Sequence, residues 1–348
     1  MYGEHDYEVL TSAREGLQRQ EDHFGSKQRH DTDGYNIIPF GYCTYRNRSD
    51  DGKFAFNINT ISEKAIVSKF YPVFRFTNAN STFMAEFLNS SPRVKKKLSV
   101  LAVGTSQVVL SFEALKAAKF DLPCKDEQDK IAAFLECLNT RIENQRTLVV
   151  ALKKYKRGVT EAIFTKDLRF TTKGVPYPQW DKKYVGDICK IQTGKSNTQD
   201  ETSQGSYPFY VRSPIVRKSN RYLFDCEAVL TVGDGVGTGK VFHYVTGKFD
   251  LHQRVYAMTD FKIVSGKYFY YYFSHFFYDR VMRMTAKTSV DSVRYEMIDK
   301  MAIQIPCHEE QQQIVCFLDC LEHSVIEAEK TLNLLEKLKS GCLQQLFI

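Results

Sequence analysis

Two glycine- and lysine-bearing stretches come nearest to phosphate chemistry, and neither completes a motif. In TVGDGVGTGKV (Thr231–Val241) the Gly239-Lys240 pair is followed by Val241, and Asp234 stands where a P-loop needs its first glycine. Thr193-Gly194-Lys195-Ser196 has the correct end of that motif but Cys189 at the first glycine position. The dinucleotide pattern G-x-G-x-x-G begins at Gly233 and Gly235 and fails at Thr238. No Asn-Pro-Pro-Tyr, Asp-Pro-Pro-Tyr, paired Asp…Glu-x-Lys, His-Glu-x-x-His or Gly-x-Ser-x-Gly arrangement occurs. The chain is therefore expected not to be an enzyme in its own right.

What remains is non-covalent recognition. Arg pairs with guanine, and Gln or Asn with adenine, in the major groove of duplex DNA. Loop glycines and lysines suit the phosphates. Gln192, Lys195, Ser196 and Asn197 lie in QTGKSN, and Arg212, Arg217, Lys218 and Arg221 in YVRSPIVRKSNRY. Lys240 closes GDGVGTGK, whose backbone N–H groups are expected to approach phosphates, and His252, Gln253 and Arg254 form a polar trio. Nearer the N-terminus, TYRNRSDDGK supplies Arg46, Asn47, Arg48 and Lys53, with Tyr42 and Tyr45 nearby and Lys69 farther on. For each residue alone, the plain alternative is a solvated loop.

Elements that position such loops are announced by an internal repeat at an offset of 183 residues. FDLPCKDEQDKIAAFLECLNTRIENQRTLVVALKKYKRGVTEAIFT and IQIPCHEEQQQIVCFLDCLEHSVIEAEKTLNLLEKLKSGCLQQLFI match without gaps at Pro123/Pro306, Cys124/Cys307, Glu127/Glu310, Gln128/Gln311, Ile131/Ile314, Leu135/Leu318 and Phe164/Phe347, among others. Both copies alternate apolar residues by four and three: Ile131, Leu135, Leu138, Ile142, Val149, Leu152, Val159 and Ile163, with Gln145 and Lys156 as polar interruptions, and then Ile314, Leu318, Leu321, Val325, Ala328, Leu332, Leu335 and Cys342. Pro123 and Pro306 open each helix, and acidic residues fill each first turn. A lone amphipathic helix leaves its stripe exposed, so the two are expected to pair antiparallel, with a globular domain at each end about a pseudo-twofold axis. Residues 123–175 carry 11 basic and 7 acidic residues and residues 301–348 carry 3 and 7, a complementarity that favours pairing.

The chain thus reads as α/β, with two mixed α/β domains at 1–122 and 167–305 separated by long helices at 123–166 and 306–348. Strands are expected at Phe54–Ile58, Ala65–Val67, Tyr71–Phe76, Ala228–Val232, Lys240–Val245 and Arg254–Met258. Helices are expected over Ser81–Asn89 and Tyr268–Met284. The aromatic run YFYYYFSHFFY reads as a helix buried on a sheet rather than a base-stacking platform. The first domain has no counterpart of Pro176–Trp180, which the offset would place before Met1, so it is expected to lack its opening strand and loop.

Composition bounds the partners. The 348 residues suit two domains, and the net charge is +7. Residues 176–300 hold 18 basic and 13 acidic residues, which suits a polyanion. No apolar run of about 18 residues occurs, and the N-terminus carries no secretory pattern, so neither membrane nor export is expected. Nine scattered cysteines, without a C-x-x-C pair, read as buried reduced thiols in a cytoplasmic protein and not as a metal site.

The twice-repeated Leu/Ile-Pro-x-x-x-Glu-Gln-x-x-Ile-x-x-Phe-Leu opening and the Leu- and Lys-rich helix after it resemble the specificity subunits of type I restriction–modification systems. PYPQWDKKYVGDICKIQTGKSN and TDGYNIIPFGYCTYRNRSDD, with IVSKFYPVF beyond it, resemble parts of that family's target-recognition domains. The resemblance implies a non-catalytic subunit whose two domains each read half of a split double-stranded DNA site, with the helices as spacer. It also implies two methyltransferase subunits docked on the helices, and motor–nuclease subunits for cleavage. S-adenosylmethionine, ATP and Mg2+ would belong to those partners. The competing reading is a coiled-coil structural protein whose globular ends bind other proteins.

Overall fold

The computed structural model describes residues 7–25, 32–235, 237–284 and 292–347. It divides into two compact units, Met1–Thr147 with Glu329–Ile348, and Leu148–Ala328. The boundary cuts both long helices, the central Lys125–Phe164 and the C-terminal His308–Leu346. Cys124, just after Pro123, accepts hydrogen bonds from the Glu127 and Gln128 amides and so starts the central helix.

Within each unit the two helices run antiparallel, with the expected stripe at the seam. In unit 1, Leu138 and Ile142 pack on Leu332 and Leu335, and Arg146 meets Glu336 at 2.7 Å. Farther along, Ala132 and Leu135 share a core with Phe83, Met84 and Phe347. In unit 2, Ile163 and Phe164 join Ile314 and Leu318 in the main core, and Lys156 pairs with Glu322.

The globular part of unit 2 holds two four-stranded sheets. One runs Lys190–Thr193, Val255–Thr259, Ala228–Val232, Phe242–Val245, all antiparallel. The other runs Arg217–Ser219, Tyr207–Tyr210, Lys248–Leu251, Phe224–Asp225, with its two middle strands parallel. A separate pair joins Asp181–Tyr184 antiparallel to Ala302–Ile305. The helix Gly266–Met284 buries Tyr268, Phe269, Tyr271, Tyr272, Phe273 and Phe277 against the first sheet and the long helices, so its aromatic run is core.

Unit 1 repeats the pattern. Glu8–Ala13 pairs antiparallel with Gly16–Arg19 and parallel with Ala65–Val67, which pairs antiparallel with Asn36–Ile37. Cys43–Tyr45 lies between Phe56–Ile58 and Val73–Phe74. Strand for strand, Glu8–Ala13 matches Tyr207–Tyr210, and Cys43–Tyr45 matches Ala228–Val232. Among the described residues, unit 1 has no counterpart of Asp181–Tyr184 or Lys190–Thr193.

Three expectations need correction. The strand expected over Tyr71–Phe76 shortens to Val73–Phe74, consistent with Pro72 having no amide to give a ladder. Phe54–Ile58 and Lys240–Val245 likewise begin two residues late, at Phe56 and Phe242. Of the nine free cysteines only Cys43 and Cys189 are buried, whereas Cys124, Cys137, Cys316 and Cys320 are exposed on or beside the long helices, where spacing puts them off the stripe. No helix among the described residues is long and apolar enough to cross a membrane.

Candidate nucleic-acid interface

The strand pattern brings the candidate residues onto corresponding loops. Arg46, Asn47, Arg48 and Lys53 lie in the hairpin between Cys43–Tyr45 and Phe56–Ile58. The Gly233–Val241 loop occupies the matching hairpin of unit 2, between Ala228–Val232 and Phe242–Val245. Each hairpin is tied at its base to the same place: Arg48–Ser49 to Val108–Val109, and Asp234 to Ser292.

In unit 2 the loop after Lys190–Thr193 lies along the end of strand Lys248–Leu251. Ser196 N–H donates to Leu251, Gln253 N–H to Ser196, and His252 N–H to Tyr210. Only glycine fits at 194, because a Cβ there would stand 2.0 Å from the Leu251 carbonyl oxygen. Ser196 Oγ donates to the fully buried Asp250 at 2.6 Å and accepts from Arg221 at 2.9 Å. Arg221 also reaches Asp200 at 2.9 Å, and its Nε stands 3.6 Å from the other Asp250 oxygen, which has no hydrogen bond. Gln253 donates to Asn197 Oδ1 at 2.5 Å, and Asn197 N–H donates to Asp200 at 2.7 Å.

A second cluster adjoins the first. Asp234 faces Arg212 at 3.3 Å and Arg254 at 3.7 Å. Arg254 N–H donates to His252 Nδ1 at 3.0 Å, so that nitrogen carries no proton. Burial lowers the His252 pKa, and Arg212 and Arg254 lower it further against the opposing pull of Asp234. Arg217 pairs with Glu201 at 3.1 Å, and Lys240 lies 4.9 Å from the Tyr278 ring centre. Lys195 and Lys218 are exposed and make no ion pair among the described residues.

In unit 1, Arg48 and Lys69 stand 5.4 and 5.7 Å from the centre of the Phe70 ring, which is 53% exposed. Arg46 and Lys53 are exposed, and Tyr42 packs partly against Leu10 and Ile38. Asp51, in the same hairpin, is held at a pKa of about 2 by the Ser49 hydroxyl first, helped by Lys53 N–H and Arg14.

Several expected contacts face inward and are corrected here. Tyr45 is fully buried, and its hydroxyl donates to Leu110 O at 2.9 Å. Ser196 and His252 are buried and hold loops together. Asn47 is half-buried, with its side-chain oxygen enclosed and without a hydrogen bond. Gln192 is half-buried and donates to Thr259. GDGVGTGK is no open amide cradle: the amides of Thr238, Gly239, Lys240 and Val241 all bond within the hairpin, to Gly235, Val232 and Gly237. Val236 lies outside the described residues.

The sequence reading missed the apolar side chains beside the arginines. Ile215 is 64% exposed, in the loop before strand Arg217–Ser219, and Phe40 and Ile37 are exposed in unit 1. Two β-branched residues, Ile215 and Val216, directly after a proline in a polar loop were the available signal. Such side chains suit thymine methyl groups or a base-step wedge.

Among the described residues, no group of three His, Cys, Asp or Glu side chains is placed to hold a metal ion. Each unit thus carries basic loop side chains beside an aromatic ring, Phe70 in one and Tyr278 in the other, a chemistry suited to binding.

A model of the type I restriction modification DNA specificity domain matches residues 4–153 and 177–339. The specificity subunit of type I restriction enzyme EcoDI from Escherichia coli is 27% identical over 159 residues, 46% of this chain and 34% of that protein. The MjaVIII specificity subunit from Methanocaldococcus jannaschii is 24% identical over 187 residues, 50% of this chain and 43% of that protein. The chain thus aligns with less than half the length of either relative. Among solved structures, the type I restriction–modification S subunit from M. genitalium superposes with a TM-score of 0.67 at 16% identity, over 99% of this chain and 89% of that one. A chain from a structure concerned with complex assembly and conformational transition of the type I R-M system gives a TM-score of 0.53 at 17% identity, over 90% and 83%. At such identities these two matches concern the fold.

Proposed function

The chain belongs to the type I restriction–modification DNA specificity family, and from that premise we propose that it reads double-stranded DNA in two parts, one half-site per unit. The observation that carries this reading is the shared hairpin. Two units with little sequence identity in their globular parts put basic side chains on the same strand-to-strand loop: Arg46, Arg48 and Lys53 in one, Lys240 with Arg212 and Arg254 alongside in the other. Lys195 and Lys218 supply phosphate contacts. Arg212, Arg254 and Gln253 are the base-reading candidates in unit 2, and Arg46 and Arg48 in unit 1. Ser196, Asp250, His252 and Arg221 hold the loops that present them.

In this reading the chain performs no reaction. Two methyltransferase subunits dock on the long helices, whose outer faces expose Phe134, Val150, Tyr155, Ile326, Leu334 and Leu338. Motor–nuclease subunits join them, and S-adenosylmethionine, ATP and Mg2+ act in those partners.

Duplex binding by the assembled complex tests the proposal. Replacing Lys195 and Lys218 together by alanine is expected to lower the slope of log K against log salt by about 2, because each phosphate contact contributes roughly 0.9. Arg254→Ala is expected to relax the sequence preference at one position. Binding indifferent to salt would refute the reading and favour a protein-binding scaffold.

A further inference from the structure

Residues 87–112 of unit 1 hold four cations, Arg93, Lys95, Lys96 and Lys97, and no acidic residue. The repeat sets the two helices Ser81–Ser90 and Pro92–Leu101 against the single helix Gly266–Met284 of unit 2. Pro92 has no amide with which to continue the first helix, and Ser91 caps the second by accepting from Val94 N–H. This second helix buries Val94 and Leu98 and exposes Arg93, Lys95, Lys96, Lys97 and Ser99. Lys97 donates to Lys119 O and lies over the Phe120 ring. Arg93, Lys95 and Lys96 make no ion pair among the described residues. The cations of the unit 2 helix are engaged instead: Lys267 with Asp319 at 3.2 Å, Arg280 with the Met297 and Lys300 carbonyls, and Arg283 with the Asp279 carbonyl.

The basic helix abuts the hairpin that carries Arg46, Arg48 and Lys53. Ser99 Oγ lies 3.6 Å from where a Cβ on Gly52 would stand. Lys95 and Lys96, four and three residues before Ser99, share its face of the helix. The segment beyond the helix is tied to the same hairpin. Gln107 donates to Asp50 at 3.0 Å, Val108–Val109 pairs with Arg48–Ser49, and Leu110 N–H donates to Asn47 O. Thr105 and Ser106, between the helix and this seam, are exposed, and their amides make no main-chain hydrogen bond among the described residues. The hairpin's own acids are taken up, Asp50 by Gln107 and Asp51 by Arg14 and Ser49.

We propose that this surface is a second DNA contact of unit 1, which grips the phosphodiester backbone beyond the base pairs that the hairpin addresses. The proposal rests on the reading of the chain as a duplex-binding protein. Lys95 and Lys96, with Arg93 beside Lys96 on the helix, neutralise phosphates, and the Thr105 and Ser106 amides donate to phosphate oxygens. Lysine on a flexible stem is a point charge, so the face adds affinity and no base preference. The half-site of unit 1 therefore carries phosphate contacts for which the helix Gly266–Met284 has no free counterpart.

The test is duplex binding by the assembled complex over a salt series, with Lys95→Ala/Lys96→Ala against the parent. The slope of log K against log salt is expected to fall by about 2, which amounts to an about tenfold smaller loss of affinity between 50 and 200 mM salt. Lys95→Arg/Lys96→Arg should keep the parental slope, and the methylated motif should be the same in all variants. Ethylation of phosphates outside the half-site that Arg46→Ala/Arg48→Ala degrades should weaken binding of the parent and not of the alanine variant. Both lysines are exposed, so circular dichroism should match the parent. An unchanged slope, where Lys195→Ala/Lys218→Ala lowers it, would overturn the proposal and leave the duplex-binding reading standing. If neither pair changes the slope, both fall. A changed motif would make these lysines base readers, and lost assembly at an unaltered slope would make the face a dock for an acidic protein; either result also overturns the proposal.

Discussion

Glu310 shows how much one side chain organises. A carboxylate with no solvent exposure is tolerable only when its oxygens are fully bonded, and the Arg169 fork and the Trp180 indole do that here. Arg169→Met leaves the charge buried with the indole alone. Unit 2 is expected to lose on the order of 3 kcal/mol in urea unfolding, with most of it regained in the Arg169→Met/Glu310→Met double variant. The histidines set a pH limit of their own. His252 and His243 both have pKa values lowered by burial, so the unfolded chain binds more protons than the folded one just below the ordinary histidine pKa of about 6.5. Their contribution is present in full above that pH and is lost as pH falls below it. Urea midpoints at pH 7.5 and 5.5 should separate, and His252→Asn, which keeps an acceptor for Arg254 N–H, should narrow the gap. An unchanged gap would mean that His252 does not titrate in this window.

At the scale of elements, the long helices owe their pairing to a stripe that neither can bury alone. Leu135 has no exposure and sits between Phe83, Met84 and Phe347, so truncation leaves a cavity that the ring-lined surroundings fill poorly. Leu135→Ala is expected to cost about 3 kcal/mol, and Leu318→Ala a similar amount in unit 2. Val150→Ala, on the outer face at 66% exposure, is expected to stay within about 0.5 kcal/mol. Chemical denaturation of the three variants checks the order, and a large effect at Val150 would place the seam elsewhere. The interhelical ion pairs Arg146–Glu336 and Lys156–Glu322 contribute less than the apolar seam, since each is partly exposed, and chiefly disfavour other registers.

At the scale of the whole molecule, the proposed reading makes recognition a two-part event, because the pattern of strands and helices is duplicated. If each unit reads its own half-site, changing one set of loops should change one half of the recognised sequence. Methylation mapping by long-read sequencing is expected to show a split motif that disappears when the gene is deleted. With Arg212 and Arg254 replaced, the half read by unit 2 should degenerate while the other half persists. Simultaneous loss of both halves with the protein still assembled would count against independent reading.

Periodicity carried the parts of this protein that depend on local order along the chain. The four-and-three spacing from Ile131 to Ile163 named the seam, because a helix places such residues on one side whatever surrounds it. The five-residue run Ala228–Val232, apolar but for Thr231, is the strand it reads as, buried at every position. The gapless repeat announced the duplication. Residue type alone could not sort the candidate loops, because it specifies hydrogen-bonding capacity and not exposure. Arg212 and Tyr45 both looked like base contacts, yet strand Cys43–Tyr45 sits mid-sheet and turns Tyr45 inward to Leu110, whereas Arg212 leaves its sheet at a strand end. The amides of Thr238, Gly239, Lys240 and Val241 are spent on the hairpin itself, and the clamp on Glu310 joins residues 130 and more positions apart. Such long-range pairings are decided by which surfaces meet on folding, and only the tertiary structure records them.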